Sequence, residues 1–335
     1  MNLRHRPHSS RQNTAIELAM TGLALVLSVA SPRSMAAPNG ETPEFQPGSK
    51  VHFLPRQAPG DDEARAANPA LLLNKTVRTK PLVPAKSLTY FGGPVIPNVA
   101  VTQVLWGAGA YNATVNNTVS PNLGTFYQDV LTSTYMDMLA QYPSAAANVG
   151  HGTFQGSRTI APSSAAASAV KIDDVAIQAE LTAQIKAGAL PAPGVNTYYA
   201  LFFPKGTAIT QGGAGSCITG GFCAYHGTFV LNGVNVVYGV HPDMSAGSGC
   251  DIGCGAGTPF SNQTAVASHE LAESITDPAV GIATAYAAPL GWYNMTYGEI
   301  GDICNAQQGT FTAASGVTYT VQKEWSNKAV ACAVK

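Results

Sequence analysis

The chain has 335 residues, of which 45% are hydrophobic and only 11% are charged, with a formal net charge of −1. A disordered protein would carry more charge and fewer large apolar residues, so this composition excludes disorder over most of the chain. Near-neutrality also contrasts with the basic stripe of nucleic-acid-binding proteins, and we expect no nucleic-acid partner. The charges are unevenly spread, because no Lys or Arg lies between Lys205 and Lys323.

The N-terminus has the pattern of a secretory signal. Three arginines precede an apolar run over residues 18–30, and small residues at Ser34 and Ala36 fit a cleavage site. The run is too short to span a bilayer, and no later segment reaches the roughly 18 apolar residues that a spanning helix needs. We therefore predict a signal peptide over residues 1–36 and a secreted, extracellular or periplasmic protein without stable membrane insertion. An uncleaved anchor is the alternative.

The rest of the chain divides into two parts. Residues 37–87 are rich in proline and have no sustained periodicity, which predicts a linker or pro-segment that is mostly disordered. Residues 88–335 have a globular composition and are long enough for one domain with its own core. We expect this domain to be a monomer.

Periodicity and turn signals predict the elements of this domain in chain order. The signals include the Asn232-Gly233 pair, which is typical of a two-residue hairpin turn. Strands and helices alternate first and a hairpin follows, so we predict a single-domain α/β fold with a mixed sheet. The predicted elements are a strand over 99–106, a helix over 123–141, a helix over 173–187, a strand over 196–203, a hairpin over 227–240, and a helix from a Ser261-Asn262 N-cap to Thr276.

All six cysteines lie late in the chain, from Cys217 to Cys332, and an even number in an exported protein indicates disulfide bonds. Six cysteines allow 15 connectivities. We favour sequential pairing, because two of the resulting pairs close very short Gly-rich loops. A thiolate metal site at the C-D-I-G-C sequence is the alternative. The sequential pairs are Cys217–Cys223, Cys250–Cys254 and Cys304–Cys332.

The helix predicted over 261–276 contains an H-E-x-x-E sequence formed by His269, Glu270 and Glu273. At about 100° per residue, His269 and Glu273 share the face opposite Leu271. We expect Leu271 to face the core and the His269–Glu273 face to point towards a cleft or solvent. A solvated acidic helix face without a ligand is the alternative.

Two ligands one helical turn apart, with a Glu between them, are typical of zincin metallohydrolases. We therefore predict a zincin-like active-site helix in which His269 and Glu273 bind a metal and Glu270 is the catalytic general base. Glu299 is the expected third ligand, and Asp302 is expected to orient His269 or to be a fourth ligand. Zinc is favoured, with calcium or manganese as alternatives because Glu273 stands where zincins carry a histidine.

The charge distribution supports this prediction. The H-E-x-x-E helix and the carboxylates of Glu299 and Asp302 all lie within the stretch that lacks Lys and Arg. Carboxylates brought together without cationic partners repel one another, raise one another's pKa, or bind a metal ion. A divalent ion is therefore the expected source of the missing positive charge.

Several segments together resemble the Exordium/phosphate-induced protein 1 family of secreted proteins. The resemblance spans about residues 88–335 and implies an extracellular or cell-wall protein. In a chain that keeps His269, Glu270 and Glu273, it permits a zincin-like metallohydrolase. The matching segments are F-C-A-Y-H-G from Phe222, C-D-I-G-C from Cys250, H-E-L-A-E-S-I-T-D-P from His269, G-W-Y from Gly291 and E-I-G-D-I-C from Glu299.

Four further residues are weaker candidates for substrate binding. His226 could contact a substrate or stabilise an oxyanion, and a structural role beside Cys223 is its commoner interpretation. Tyr238, Trp292 and Tyr293 could form a wall for a peptide or a sugar, and core packing is their alternative. His241, in the following loop, is an alternative metal ligand.

The sequence thus predicts a secreted metal-dependent hydrolase, foremost a zincin-like peptidase acting on a polypeptide or cell-wall substrate. The main alternative is a non-catalytic extracellular or wall-associated protein with a structural metal site. A glycosidase that uses two of the carboxylates is a third reading, and it leaves His269 without a role.

Overall fold

The computed structural model describes residues 51–56, 86–163, 166 and 170–335. The predicted signal peptide, residues 1–36, lies outside the described residues. So does most of the predicted linker or pro-segment over residues 37–87.

The described residues form helices and strands that alternate through the first two thirds of the domain, with short hairpins after them. Two 3₁₀ turns, Val280–Ile282 and Asp302–Cys304, follow the last helix. In chain order the elements are β1 (Val51–Pro55), β2 (Thr89–Tyr90), β3 (Ala100–Trp106), α1 (Leu123–Val130), α2 (Thr134–Leu139), β4 (Thr153–Ile160), β5 (Lys171–Asp173), α3 (Asp174–Lys186), β6 (Thr197–Phe202), β7 (Ala208–Gln211), β8 (Ala214–Gly215), β9 (Phe222–Leu231), β10 (Val234–His241), α4 (Pro259–Thr276), β11 (Trp292–Tyr293), β12 (Gln308–Thr312), β13 (Thr318–Gln322), β14 (Glu324–Ser326) and β15 (Ala331–Ala333).

A six-stranded mixed sheet organises the domain, with strand order β1-β9-β10-β6-β3-β4. The pairs from β10 to β4 are parallel, and β9 is antiparallel to both of its neighbours. Parallel neighbours need crossover connections, which the helices supply. The prediction of an α/β fold with a mixed sheet is therefore confirmed.

The sheet is buried on both faces, and alternate residues of each strand pack on opposite sides. In β6, Tyr198 and Ala200 belong to the core formed with α1, α2 and α4, while Tyr199 and Leu201 belong to the core formed with α3. Because both faces are covered, the central strands read as continuous apolar runs.

Most predicted elements occur within a residue or two of their expected bounds. The hairpin turn is confirmed, with Asn232 at φ 51° and Gly233 at φ 80°, as a type I′ turn requires. The helix predicted over 123–141 is instead two helices, because Ser133 accepts a hydrogen bond from the Tyr135 N–H and starts a new helix. The predicted Ser261-Asn262 cap is also wrong, since Thr258 is the N-cap and Pro259 is the first helical residue.

Helix α4 is the most enclosed element near the site. Every residue from Asn262 to Thr276 is buried, because α4 packs against β9 and β10 on one side and against β13 on another. Leu271 faces the core as expected. The expected exposure of the His269–Glu273 face is wrong, since both side chains are fully buried.

Three disulfide bonds stabilise the domain, and one of the three predicted pairs, Cys304–Cys332, is confirmed. The two short-loop pairs are wrong, because the Gly-rich loop that follows β10 folds back against the start of β9. Gly249 approaches so closely that a Cβ atom there would overlap the carbonyl oxygen of Cys217. The observed pairs are Cys217–Cys250 and Cys223–Cys254.

Strand β1 lies within the segment predicted as a linker or pro-segment. It pairs with β9 at the edge of the sheet, with the Cα atoms of Val51 and Gly227 as partners. None of the helices among the described residues has the length and hydropathy to cross a bilayer.

The Cys304–Cys332 bond fixes the loop that carries Glu299 and Asp302. We predict that replacing both cysteines by serine lowers the free energy of unfolding by about 3.5 kcal/mol, the loop-closure value for a crosslink of this separation. Urea denaturation under non-reducing conditions measures this change. A loss below about 1 kcal/mol would contradict the prediction.

Candidate metal centre

Helix α4 supplies three of the side chains. His269 and Glu273 lie one turn apart on the same face, and His269 Nε2 is 3.2 Å from Glu273 Oε1. Glu270 lies beside them, and neither of its carboxylate oxygens accepts a hydrogen bond from the described residues. All three side chains have no solvent exposure. The H-E-x-x-E residues therefore face the protein interior as one cluster.

Strand β9 supplies His226, and the hairpin turn determines its position. A two-residue turn at Asn232-Gly233 pairs His226 with Gly239 across the hairpin. Tyr225, the preceding residue, packs on the α3 side, so alternation turns His226 towards α4. At Gly239, opposite His226, a Cβ atom would overlap the hydroxyl of Tyr198.

The loop after β11 supplies Glu299 and Asp302, and two glycines allow it to come close. A Cβ atom at Gly298, which has φ 87°, would overlap Asp302 Oδ2. A Cβ atom at Gly301 would overlap His269 Nδ1. The Glu299 N–H donates to Asp302 Oδ2 at 2.9 Å, and the Asp302 N–H donates to Glu273 Oε1 at 3.2 Å. Asp302 therefore shapes the loop and ties it to α4.

His226 lies at the centre of the cluster. Its Nδ1 is 3.4 Å from Glu270 Oε2 and 3.4 Å from Glu273 Oε2, and its Nε2 is 3.5 Å from Glu299 Oε1. Neither ring nitrogen makes a hydrogen bond with the described residues. Charge-assisted hydrogen bonds are typically about 2.7–2.9 Å long, so these three nitrogen–oxygen distances are longer than those of charge-assisted hydrogen bonds.

Two groups of three side chains have the spacing of metal ligands. In each group the ligand atoms lie within 4.8 Å of one another, and Glu273 belongs to both. Donors at tetrahedral corners about 2.0–2.2 Å from an ion lie about 3.3–3.6 Å apart, close to the contacts described above. The residues present therefore fit a small divalent ion. The groups are His226, Glu273 and Glu299, and His269, Glu270 and Glu273.

Burial and mutual charge set the protonation of the cluster. Burial raises the pKa of Glu270 to about 7, and the neighbouring His226 and His269 offset part of this effect. For Glu273 the same two histidines outweigh burial and hold its pKa below the ordinary value. Burial would lower the pKa of His226, but the carboxylates of Glu299, Glu270 and Glu273 raise it well above the usual range. The histidines and the carboxylates of the cluster thus offset part of one another's charge.

Gln322 on β13 orients His269. Its side-chain nitrogen lies 2.8 Å from Gly301 O and 2.6 Å from His269 Nδ1. A carbonyl oxygen can only accept, so the amide NH₂ must face Gly301, and the same NH₂ donates to Nδ1. His269 therefore carries its proton on Nε2, which faces Glu273 Oε1. In this tautomer the Nε2–H of His269 faces Glu273, and His226, whose ring nitrogens make no hydrogen bond with the described residues, is the histidine that can bind an ion once deprotonated.

Outer contacts hold this arrangement in place. The Tyr135 hydroxyl donates to Glu324 Oε1 at 2.8 Å, and the Gln322 N–H donates to Ser268 Oγ at 3.0 Å. His241 stacks on Phe202 and is in hydrogen-bond contact with Leu201 O through Nδ1 at 3.0 Å. It belongs to neither ligand group.

The three aromatic residues predicted to bind substrate, Tyr238, Trp292 and Tyr293, do not lie together in the structure. Tyr238 lies on the other face of the sheet, where its hydroxyl donates to Asp174 at 2.7 Å. Trp292 is half-buried and donates to the carbonyl of Pro143. Tyr293 alone of the three lies beside the cluster, and burial together with the Asp302 and Glu299 carboxylates raises the pKa of its hydroxyl. The His269 Nδ1 atom, which Asp302 was predicted to orient, is in contact with the Gln322 side chain.

Sequence reasoning missed the central position of His226 and the part played by Gln322. The hairpin turn contained the signal for His226, because a two-residue turn fixes which residues are paired and therefore which face each one occupies. Gln322 carries no comparable signal, since its contact with His269 depends on how β13 docks against α4.

The chain matches no protein-family model, no curated protein and no solved structure.

The close approach of Gly301 gives a test of the site geometry. We predict that Gly301→Ala lowers the free energy of unfolding by about 1–3 kcal/mol, because the added methyl group overlaps His269 and lies 2.9 Å from Glu273 Oε1. Gly301 has φ −80°, a value that alanine adopts without strain, so the expected loss of stability comes from steric overlap and not from the backbone conformation. Urea denaturation checks the change.

Gly194→Ala is the matched control, because a Cβ atom there meets only Thr197 Oγ1, at 3.7 Å. We expect its stability to stay within about 0.5 kcal/mol of the wild-type value. Equal effects of the two substitutions would contradict the described packing of Gly301 on α4.

Proposed function

We propose that this chain is a secreted, zincin-like metal-dependent hydrolase acting on a polypeptide. The observation that carries the proposal is the convergence of His226, Glu270, Glu273 and Glu299, which are fully buried and all belong to the 206–322 stretch of the sequence, where no Lys or Arg occurs. Among the described residues the only buried Lys or Arg is Arg56, whose Nε donates to Gly249 O. Buried carboxylate and imidazole groups brought this close together are a setting in which a divalent ion binds.

In this proposal His226, Glu273 and Glu299 hold the ion, and His269 positions Glu273 through its Nε2–H. The donor spacing favours a small ion such as zinc over calcium, which takes six to eight oxygens at about 2.3–2.6 Å. When bound, such an ion supplies Lewis acidity, which polarises a substrate carbonyl and makes a bound water more acidic.

Glu270 is the proposed general base. It lies beside the ligands, its carboxylate oxygens accept no hydrogen bond from the residues that the structure describes, and burial raises its pKa to about 7. A base with a pKa near the working pH is the most effective in proton transfer. Glu270 would accept a proton from water and later deliver it to the leaving amine.

The complete burial of the cluster favours a second candidate function. A catalytic zinc site keeps one position open to substrate, whereas a structural site is closed. Every side chain of the proposed centre is enclosed in the described state. A non-catalytic extracellular protein with a structural ion therefore stands beside the hydrolase.

Glu270→Gln tests the hydrolase. We predict that the purified chain binds about one divalent ion, and that Glu270→Gln keeps the ion but loses hydrolysis of an unfolded protein by at least about 100-fold. Elemental analysis and a peptide-release assay measure the two effects. The matched control is Glu180→Gln, a buried glutamate on α3 at the other face of the sheet, which should leave both unchanged.

The outcomes separate the candidates. An ion without hydrolysis, in the intact chain and in a chain cut between residues 57 and 85, would identify a structural centre. Failure to bind zinc, calcium or manganese at neutral pH would refute both functions.

The two histidines should differ in their effect on metal affinity. We predict that His226→Ala abolishes measurable ion binding, because it removes a ligand, whereas His269→Ala weakens binding about 10- to 100-fold, as loss of a positioning group does. Competition with a chelating dye measures both. His151→Ala, at an exposed contact with Asp137, is the control. The reverse order would make His269 the nitrogen ligand.

A further inference from the structure

Strand β1 occupies the edge of the sheet beside the proposed centre. It runs antiparallel to β9 over Val51–Pro55, with the Cα atoms of residues 52 and 226 as partners. The backbone of β1 therefore passes directly beside His226, the residue at the centre of the cluster.

The position of β1 in the sequence sets it apart from the rest of the sheet. Residues 57–85 separate it from the next described residues, and its neighbour β9 is already paired with β10 on its other side. A single extended segment added to an otherwise complete sheet edge is also the geometry by which proteins bind peptides through strand addition. β1 pairs with the edge of β9 as a peptide bound by strand addition would.

Both side chains of this segment that the structure describes, Leu54 and Arg56, make specific contacts. Leu54 is 4% exposed and packs with Cys223, Cys254 and Val266. A cavity of about 60 Å³ adjoins it and extends to Gln322, the residue that orients His269. One cavity thus connects Leu54, the apolar contact of the segment, with Gln322, which contacts His269 in the proposed centre.

Arg56 forms the second contact. Its backbone N–H donates to Gly221 O at 3.0 Å, and its Nε donates to Gly249 O at 2.8 Å. It brings a guanidinium into a region where the chain has no Lys or Arg over 117 consecutive residues, from 206 to 322. The edge therefore presents an apolar recess followed, two residues along, by one carbonyl group, Gly249 O, that accepts from a cation.

We infer that the outer edge of β9 is a binding site for an extended polypeptide, and that residues Val51–Arg56 occupy it in cis. The preferred ligand is an extended strand with a leucine-sized apolar residue and an arginine two positions later. The inference rests on the proposed function in identifying this ligand with the substrate. The binding step itself requires neither metal nor hydrolysis.

A cleavable chain tests the inference. A recognition site for a sequence-specific protease is placed between residues 57 and 85 of the exported chain, and the segment is cut after folding. A fluorescent peptide of residues 49–58 is then added, and its binding is measured by anisotropy. We expect saturable binding, with exchange between the peptide and the released segment.

Substitutions in the peptide leave the domain untouched, so they cannot fail through misfolding. A Leu54→Asp peptide should bind about tenfold or more weakly, because the buried apolar contact is lost. The domain control is Val230→Asp, which lies on β9 beyond the β1 pairing and is 54% exposed. This variant should bind the wild-type peptide with unchanged affinity.

Three results would overturn the inference: no binding or exchange of the wild-type peptide, equal affinity of the Leu54→Asp peptide, or unfolding of the domain once the segment is cut. The last would make β1 an integral strand. Peptide binding without hydrolysis would refute the proposed hydrolase alone. Hydrolysis lost in Glu270→Gln, without peptide binding, would refute this inference alone.

Discussion

The structure depends on one electrostatic constraint, the burial of several carboxylates close together around α4. Ionised carboxylates are costly to remove from water unless they are paired, hydrogen-bonded or bound to an ion. Glu270, Glu273 and Glu299 meet this cost in part through His226 and His269.

The other face of the same sheet shows how this protein buries an acid when no ion is needed. Asp174 at the start of α3 is 3% exposed. One of its oxygens accepts from the hydroxyls of Tyr225 and Tyr238, and the other accepts from the side-chain amide of Gln178. Neutral donors thus hydrogen-bond both oxygens of this carboxylate. Glu270 differs, because its oxygens accept no hydrogen bond from the described residues.

Local signals predicted the elements, and they failed where tertiary contacts decide. The Asn232-Gly233 turn and the buried strand at β3 follow from short-range sterics and hydrophobicity. The orientation of α4 was half right, because periodicity identifies the apolar side of a helix but not what covers the other side. Here β9 and the loop around Gly301 cover it. Two of three disulfides were mispaired because short loops were preferred over the long-range folding of the loop after β10.

The observed pairing of these cysteines has a consequence for the order in which the disulfides form and β1 pairs with the sheet. Cys223–Cys254 forms part of the wall against which Leu54 packs, and Cys217–Cys250 fixes the loop whose Gly249 carbonyl receives Arg56. Both supports require an oxidising compartment. A newly made chain with reduced thiols would lack both of these supports for β1. We therefore expect stable pairing of β1 with β9 to follow oxidation of the cysteines.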